Sequence, residues 1–177
     1  MNKMASSKAY NFDTSAFLAL YRHHTQVLEL PQSIWDLLGR MIRNGSIVSH
    51  RYVYDEVVNE KADKPDMITQ WLIPRKECFE KESADQAILV GEIVAEFPKL
   101  IDHEREKEQA DPWIIAQTMI LNKQTRLFED KEYVIVTQEN PNSTRKIPAA
   151  CKHFKVRSIS LKQFFEENNV AVEKVNK

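Results

Sequence analysis

Asp13, Glu56, Asp111 and Glu139 lie far apart in a chain of 177 residues, yet each stands where a strand is read to end or a helix to begin. In an open parallel sheet those places gather along the carboxyl edge, so four carboxylates remote in sequence can line one pocket. Carboxylates about 4 Å apart repel by a few kcal/mol even at an effective dielectric near ~20, so such a group requires protons or a cation for neutrality. Mg2+ and Mn2+ suit an all-oxygen donor set, keep several waters, and can activate one of them for in-line attack on a phosphodiester. Each acid alone has a plainer role open to it: Asp13 and Asp111 as helix caps, Glu56 as an exposed helical glutamate, Glu139 as a turn residue.

The elements that must position these acids follow from periodicity and punctuation. Ala9–Phe12 reads as a short strand, with Asp13-Thr14-Ser15 as a turn capping an apolar helix over Ala16–Tyr21. Pro31 at an N1 position opens a second helix that Gly45 stops, and Ser46–Ser49 follows as a brief buried strand. His50–Glu60 carries Val53, Val57 and Val58 on one helical face, so Glu56 leans beside that face toward the sheet edge. Further helices are expected over Pro65–Pro74 and Ala84–Phe97, a weak strand over Lys99–Ile101, and a solvated charge run over Asp102–Glu108. Asp111 as N-cap and Pro112 at N1 open a strong helix. Tyr133–Val136 is the clearest strand, and Val156–Ser160 makes a last one before a helix over Leu161–Glu167. Strands alternating with helices predict an α/β fold: a three-layer α/β/α sandwich around a central, mostly parallel sheet, joined by right-handed crossovers. One domain over residues 8–165 is expected, with polar termini at 1–7 and 166–177.

Composition narrows the chemistry. A hydrophobic content of 42% supplies a core for one domain of this length. Lys and Arg number 25 against 26 Asp and Glu, so no global charge selects a nucleic-acid or membrane partner and any electrostatic signal is local. Cys78 and Cys151 are far apart, with no Cys or His at zinc-ligand spacing, which reads as reduced thiols in a cytoplasmic protein. No apolar run can span a bilayer, and no apolar leader follows Lys3 and Lys8, so no membrane partner is expected. The three glycines, Gly39, Gly45 and Gly91, cannot write a Walker loop or a dinucleotide fingerprint, since both need several glycines close together.

The segments Asn11-Phe12-Asp13-Thr14-Ser15, Val53-Tyr54-Asp55-Glu56-Val57, Ala110-Asp111-Pro112-Trp113-Ile114-Ile115-Ala116 and Val134-Ile135-Val136-Thr137-Gln138-Glu139 occur in the order of the motifs of PIN-domain proteins. The chain resembles that family from about residue 9 to 165, and is similar more closely to a PIN-like bacterial family of uncharacterised function whose members carry a segment like Lys146–Cys151. The resemblance implies a PIN-like fold, Mg2+- or Mn2+-dependent endoribonuclease activity, service as the toxin of a toxin–antitoxin pair with a cognate antitoxin protein, and, by analogy with PIN toxins, a homodimer. At matching positions it implies Asp13, Glu56 and Asp111 as the catalytic, metal-holding acids and Thr137 as the hydroxyl residue beside the fourth. That fourth acid is usually Asp in the family, whereas Glu139 stands here, a longer side chain that reaches a metal often through water. The departure keeps open an alternative: a catalytically inactive PIN-like module that binds RNA or protein. A phosphohydrolase with Asp13 as covalent nucleophile is disfavoured, because Ser15 stands where its second Asp would be.

From Asn140 to Phe165 there is no Asp or Glu, while Arg145, Lys146 and Lys152 are present with three further basic residues. Such a segment after the last acid suits holding an RNA backbone near the metal, and equally suits a solvated face balancing the acidic loop. His23-His24 reads as part of a surface loop rather than a ligand pair, Trp35 and Trp113 read as core, and Cys151 reads as a loop thiol without a partner base.

Overall fold

The computed structural model describes residues 7–26, 31–58, 64–104, 108–128 and 131–170. Its five strands are β1 (Ser7–Phe12), β2 (Ile47–His50), β3 (Phe79–Glu80), β4 (Lys131–Val136) and β5 (Ser158–Ile159). All pair in parallel, in the spatial order β3-β2-β1-β4-β5. Among the described residues eight α-helices flank the sheet: α1 (Thr14–Gln26), α2 (Gln32–Arg43), α3 (Arg51–Val57), α4 (Met67–Leu72), α5 (Ala84–Glu96), α6 (Ala110–Phe128), α7 (Ile147–His153) and α8 (Leu161–Glu167). The architecture is the expected α/β/α sandwich, and every observed strand pair is parallel.

The central pair explains itself. β1 and β4 match residue for residue from Ser7 with Lys131 to Phe12 with Val136, and the last four residues of each are buried. Covered by helices on both faces, such strands read as continuous apolar runs rather than alternating ones. Phe12 sits in an aromatic cluster, 5.3 Å from Phe17 on α1 and 5.0 Å from Phe164 on α8 between ring centroids. Helix α6 packs against β4, and α5 covers α6. Asn11 is the buried polar exception in β1; its amide donates to Gln117 Oε1 and Thr118 Oγ1, both at 2.9 Å, and so ties α6 to the sheet.

Chain order sets the site. From β1 the sheet grows outward through β2 and β3, after which the chain returns to the other side of β1 with β4 and continues to β5. The direction of growth therefore reverses between β1 and β4, and the crevice beyond their carboxyl ends is where open α/β sheets place ligands.

Several local expectations give way. Residues 98–100 form a 3-10 turn rather than a strand, because Pro98 opens a helical turn and cannot donate to a ladder. Cys151 lies in helix α7, not in a loop: Pro148 occupies the first turn, where its missing N–H costs nothing. Helix α1 runs through His23 and His24 to Gln26, and α2 starts one residue after Pro31, which precedes the helix. Helix α3 ends at Val57, short of the expected end at Glu60, and residues 59 and 60 lie outside the described residues. The strand β3 has no counterpart in the sequence reading. At α8, Ser160 Oγ accepts from the Gln163 N–H at 3.2 Å while Gln163 Oε1 accepts from the Ser160 N–H at 2.9 Å. Ser160→Ala removes one half of this reciprocal cap and is expected to lower stability by about 1 kcal/mol in urea unfolding.

Candidate functional site

Asp13 follows directly on β1, and its backbone N–H donates to Val136 O at 3.1 Å, which holds it against the end of β4. Its carboxylate caps α1, accepting from the Ala16 N–H at 2.7 Å, and Ser15 Oγ lies 2.9 and 2.8 Å from its two oxygens. Ser15 also stands 3.3 Å from Thr137 Oγ1 and accepts from the Gln138 N–H at 2.8 Å. This hydroxyl thus joins the ends of β1 and β4. Asp13 is only 3% exposed, and its burial, opposed by the hydrogen bonds from Thr137, Ala16 and Ser15, pushes its pKa up to about 6.

Glu56 comes from α3. Its Oε1 accepts from the Ala110 N–H at 2.9 Å and its Oε2 accepts from the Thr14 hydroxyl, so one carboxylate clasps the starts of α6 and α1. Because Ala110 opens α6, Asp111 lies inside the first turn and is not the N-cap expected from sequence. Asp111 carries the strongest electrostatic burden: burial first, then Glu139, Asp13 and Glu56, raise its pKa to about 8, with Lys146 opposing. No hydrogen bond from a described residue relieves it. Glu139, two residues beyond Thr137, accepts from the Ile147 N–H at 2.8 Å and pairs with Lys146 Nζ at 3.0 Å. It thereby supplies the start of α7 with the side-chain acceptor that Lys146, at the cap position, does not.

All four acids line one cavity of about 430 Å³ beyond the carboxyl edge of β1. Thr14, Ser15 and Lys146 line it from the sheet side, and Lys99, Asp102 and Gln109 from the segment between α5 and α6. That segment is clipped to itself, since the Asp102 N–H donates to Gln109 Oε1 and Gln109 Nε2 donates to Asp102 O, both at 2.8 Å. Thr137, 4% exposed, lies beneath the cavity: its hydroxyl accepts from the Glu139 N–H at 3.2 Å and supports Asp13. Of the basic residues singled out in the sequence, Lys146 lines the cavity, while Arg145 and Lys152 are exposed outside it. Thr14, Ser15, Lys99, Asp102 and Gln109 are additions from the structure, Asp102 from the run expected to be a solvated loop. The first two adjoin Asp13 and so were within reach of the sequence; Lys99 carries no local signal.

The donor chemistry suits a hard divalent cation: Asp13, Glu56, Asp111 and Glu139, with Asp102 as a fifth carboxylate, line a common space, and Glu139, Asp13 and Glu56 raise the proton affinity of Asp111, which takes no hydrogen bond from a described residue. The spacing is looser than a closed ligand shell, for among the described residues no three Asp, Glu, His or Cys side chains stand close enough to hold a metal directly. An ion of the Mg2+ type keeps several waters and takes only one or two direct carboxylates, so the loose arrangement and the donor set are compatible.

No curated protein matches the chain significantly. A family model does, covering residues 10–172 and with them Asp13, Glu56, Asp111 and Glu139. The chain belongs to the family described as a domain of unknown function (DUF4411).

Proposed function

We propose that the protein is a Mg2+- or Mn2+-dependent endoribonuclease whose site is the acidic cavity. The observation that carries this reading is the convergence of Asp13, Glu56, Asp111 and Glu139 on one crevice at the reversal point of the sheet. When bound, the cation supplies Lewis acidity and an activated water for attack on a phosphodiester. The chain's own residues do the rest. Asp13 and Asp111 hold the cation, Glu56 and Glu139 complete its charge balance, and Ser15 with the Ala16 N–H fixes the Asp13 carboxylate in one orientation. Thr137 keeps that orientation from below. Lys146 and Lys99 line the same space and their charge attracts a polyanion to it, with Arg145 and Lys152 exposed on the same basic segment as Lys146.

RNA as the substrate, a toxin's place in a toxin–antitoxin pair, a cognate antitoxin and a homodimer rest on the PIN-domain resemblance. A second reading, a PIN-like module that binds RNA or protein without cutting, is favoured by the Lys146–Glu139 ion pair, which already half-neutralises the fourth acid. Incubating the protein with single-stranded RNA in Mn2+, Mg2+ or EDTA separates the two. Cleavage that appears with either ion and stops with EDTA supports the nuclease; RNA binding without metal-dependent cleavage assigns the second reading.

A further inference from the structure

The opposite end of the molecule carries a different kind of charge. Helix α2 ends at Arg43 shortly before β2 begins, and the 3-10 helix Ile73–Cys78 leads straight into β3. Arg43 and Arg75 therefore lie at the amino edge of the parallel sheet, across its length from the acidic cavity. Both guanidinium groups fold over Gly39. The point at which a Gly39 side chain would begin lies 3.4 Å from Arg75 Nη2, 3.6 Å from Arg75 Nε and 3.6 Å from Arg43 Nη1.

Arg75 is held rigidly in this position. Its guanidinium carbon is 4.2 Å from the centroid of the Trp71 ring, which in turn packs edge-on against Trp35, and its Nη1 donates to Trp71 O at 2.6 Å. Its Nε is buried without a partner. Among the described residues neither arginine makes an ion pair with a carboxylate; Glu77 acts on Arg75 only through space. Stacking on Trp71 accounts for Arg75 alone. It does not account for Arg43, a long exposed side chain free to extend into water, which instead places a second positive charge beside a desolvated one. Two forked donors converging with no acid between them lack one thing, a shared anion.

We propose that Arg43 and Arg75 form a binding site for a phosphate-class oxyanion, separate from the acidic cavity. Arg75 Nη2 and Arg43 Nη1 both come within van der Waals reach of one point over α2, so N–H donors of two charged groups approach the same place, and guanidinium donors are the groups that recognise phosphate oxygens. The anion comes either free in solution or as a phosphate of a polynucleotide.

The test is a calorimetric titration of the full chain with inorganic phosphate in EDTA, at constant ionic strength balanced with chloride. The parent is expected to bind with a dissociation constant on the order of millimolar. Arg43→Gln weakens this about tenfold or more, and Arg43→Lys falls between, because lysine keeps the charge and loses the fork. Arg75→Gln gives the same loss if it folds, and Arg43→Gln decides alone if it does not. RNA oligonucleotides with and without a 5′-phosphate then identify the source. A preference for the phosphorylated strand that depends on Arg43 assigns a terminal phosphate; equal, Arg43-dependent binding of both assigns the backbone; phosphate binding through Arg43 with no Arg43 effect on either RNA assigns the free anion. Phosphate that binds no better than chloride, or binds Arg43→Gln as it binds the parent, overturns the site.

Discussion

Asp111→Asn is expected to abolish metal-dependent hydrolysis and, at the same time, to make the metal-free protein more stable at alkaline pH. The two effects have one origin. Asp111 is half-buried beside Glu139, Asp13 and Glu56, and its folded-state pKa of about 8 lies well above the unfolded carboxyl value. A group raised in this way contributes stability that is fully present below the unfolded pKa and is lost as pH rises through the folded one, here between about pH 4 and pH 8. Removing the ionisable proton removes the loss. With allowance for solvent at the cavity mouth, Asn at this position is expected to gain about 2 kcal/mol over the parent at pH 9 and nothing at pH 4, read from urea unfolding in EDTA. Hydrolysis should fall by a factor of about 100 or more, because an amide is a poorer ligand and adds no negative charge. Asp13→Asn is expected to be as inactive but to show a smaller alkaline gain, since burial raises its pKa only to about 6. A variant that is fully active, or that is destabilised equally at every pH, contradicts the assignment of these acids.

Why the acids were legible while their supports were not is a matter of range. Asp13 and Glu139 follow hydrophobic strands that announce themselves by being buried on both faces, and strand ends in a parallel sheet share one edge. Glu56 and Asp111 sit beside short apolar helical patterns that place them within a turn of that edge. The links between them depend on contacts that no local pattern encodes. Ser15 touches Thr137 and Gln138 more than a hundred residues away, Glu56 meets the Ala110 N–H across the crevice, and Glu139 reaches forward to start α7. The two-residue strand β3 is too short to show alternation and exists only by pairing with Ser49 and His50. Lys99 enters the site because Pro98 turns the chain there, a consequence of tertiary packing around α5 rather than of any motif.

Cation affinity itself should depend steeply on pH, and the steps follow from the same two acids. A divalent ion needs both Asp13 and Asp111 ionised, so binding must release whatever protons they hold. Below the Asp13 value of about 6 two protons leave; between about 6 and the Asp111 value of about 8 only one does; above that none. The affinity for Mn2+ is therefore expected to rise about tenfold per pH unit between roughly pH 6 and pH 8, to rise more steeply below this window, and to level off above it. Asp111→Asn, if it binds the ion at all, should lose the slope between pH 6 and 8 and keep a single-proton dependence below it. Lys146→Met acts in the opposite sense: removing the ammonium that pairs with Glu139 and opposes the rise at Asp111 should shift the levelling point to higher pH and, above it, tighten Mn2+ binding by about tenfold. Calorimetric titration with Mn2+ across this range, in buffers of different ionisation enthalpy to count the protons released, reads all three results. A pH-independent affinity would mean that the ion does not bind between Asp13 and Asp111.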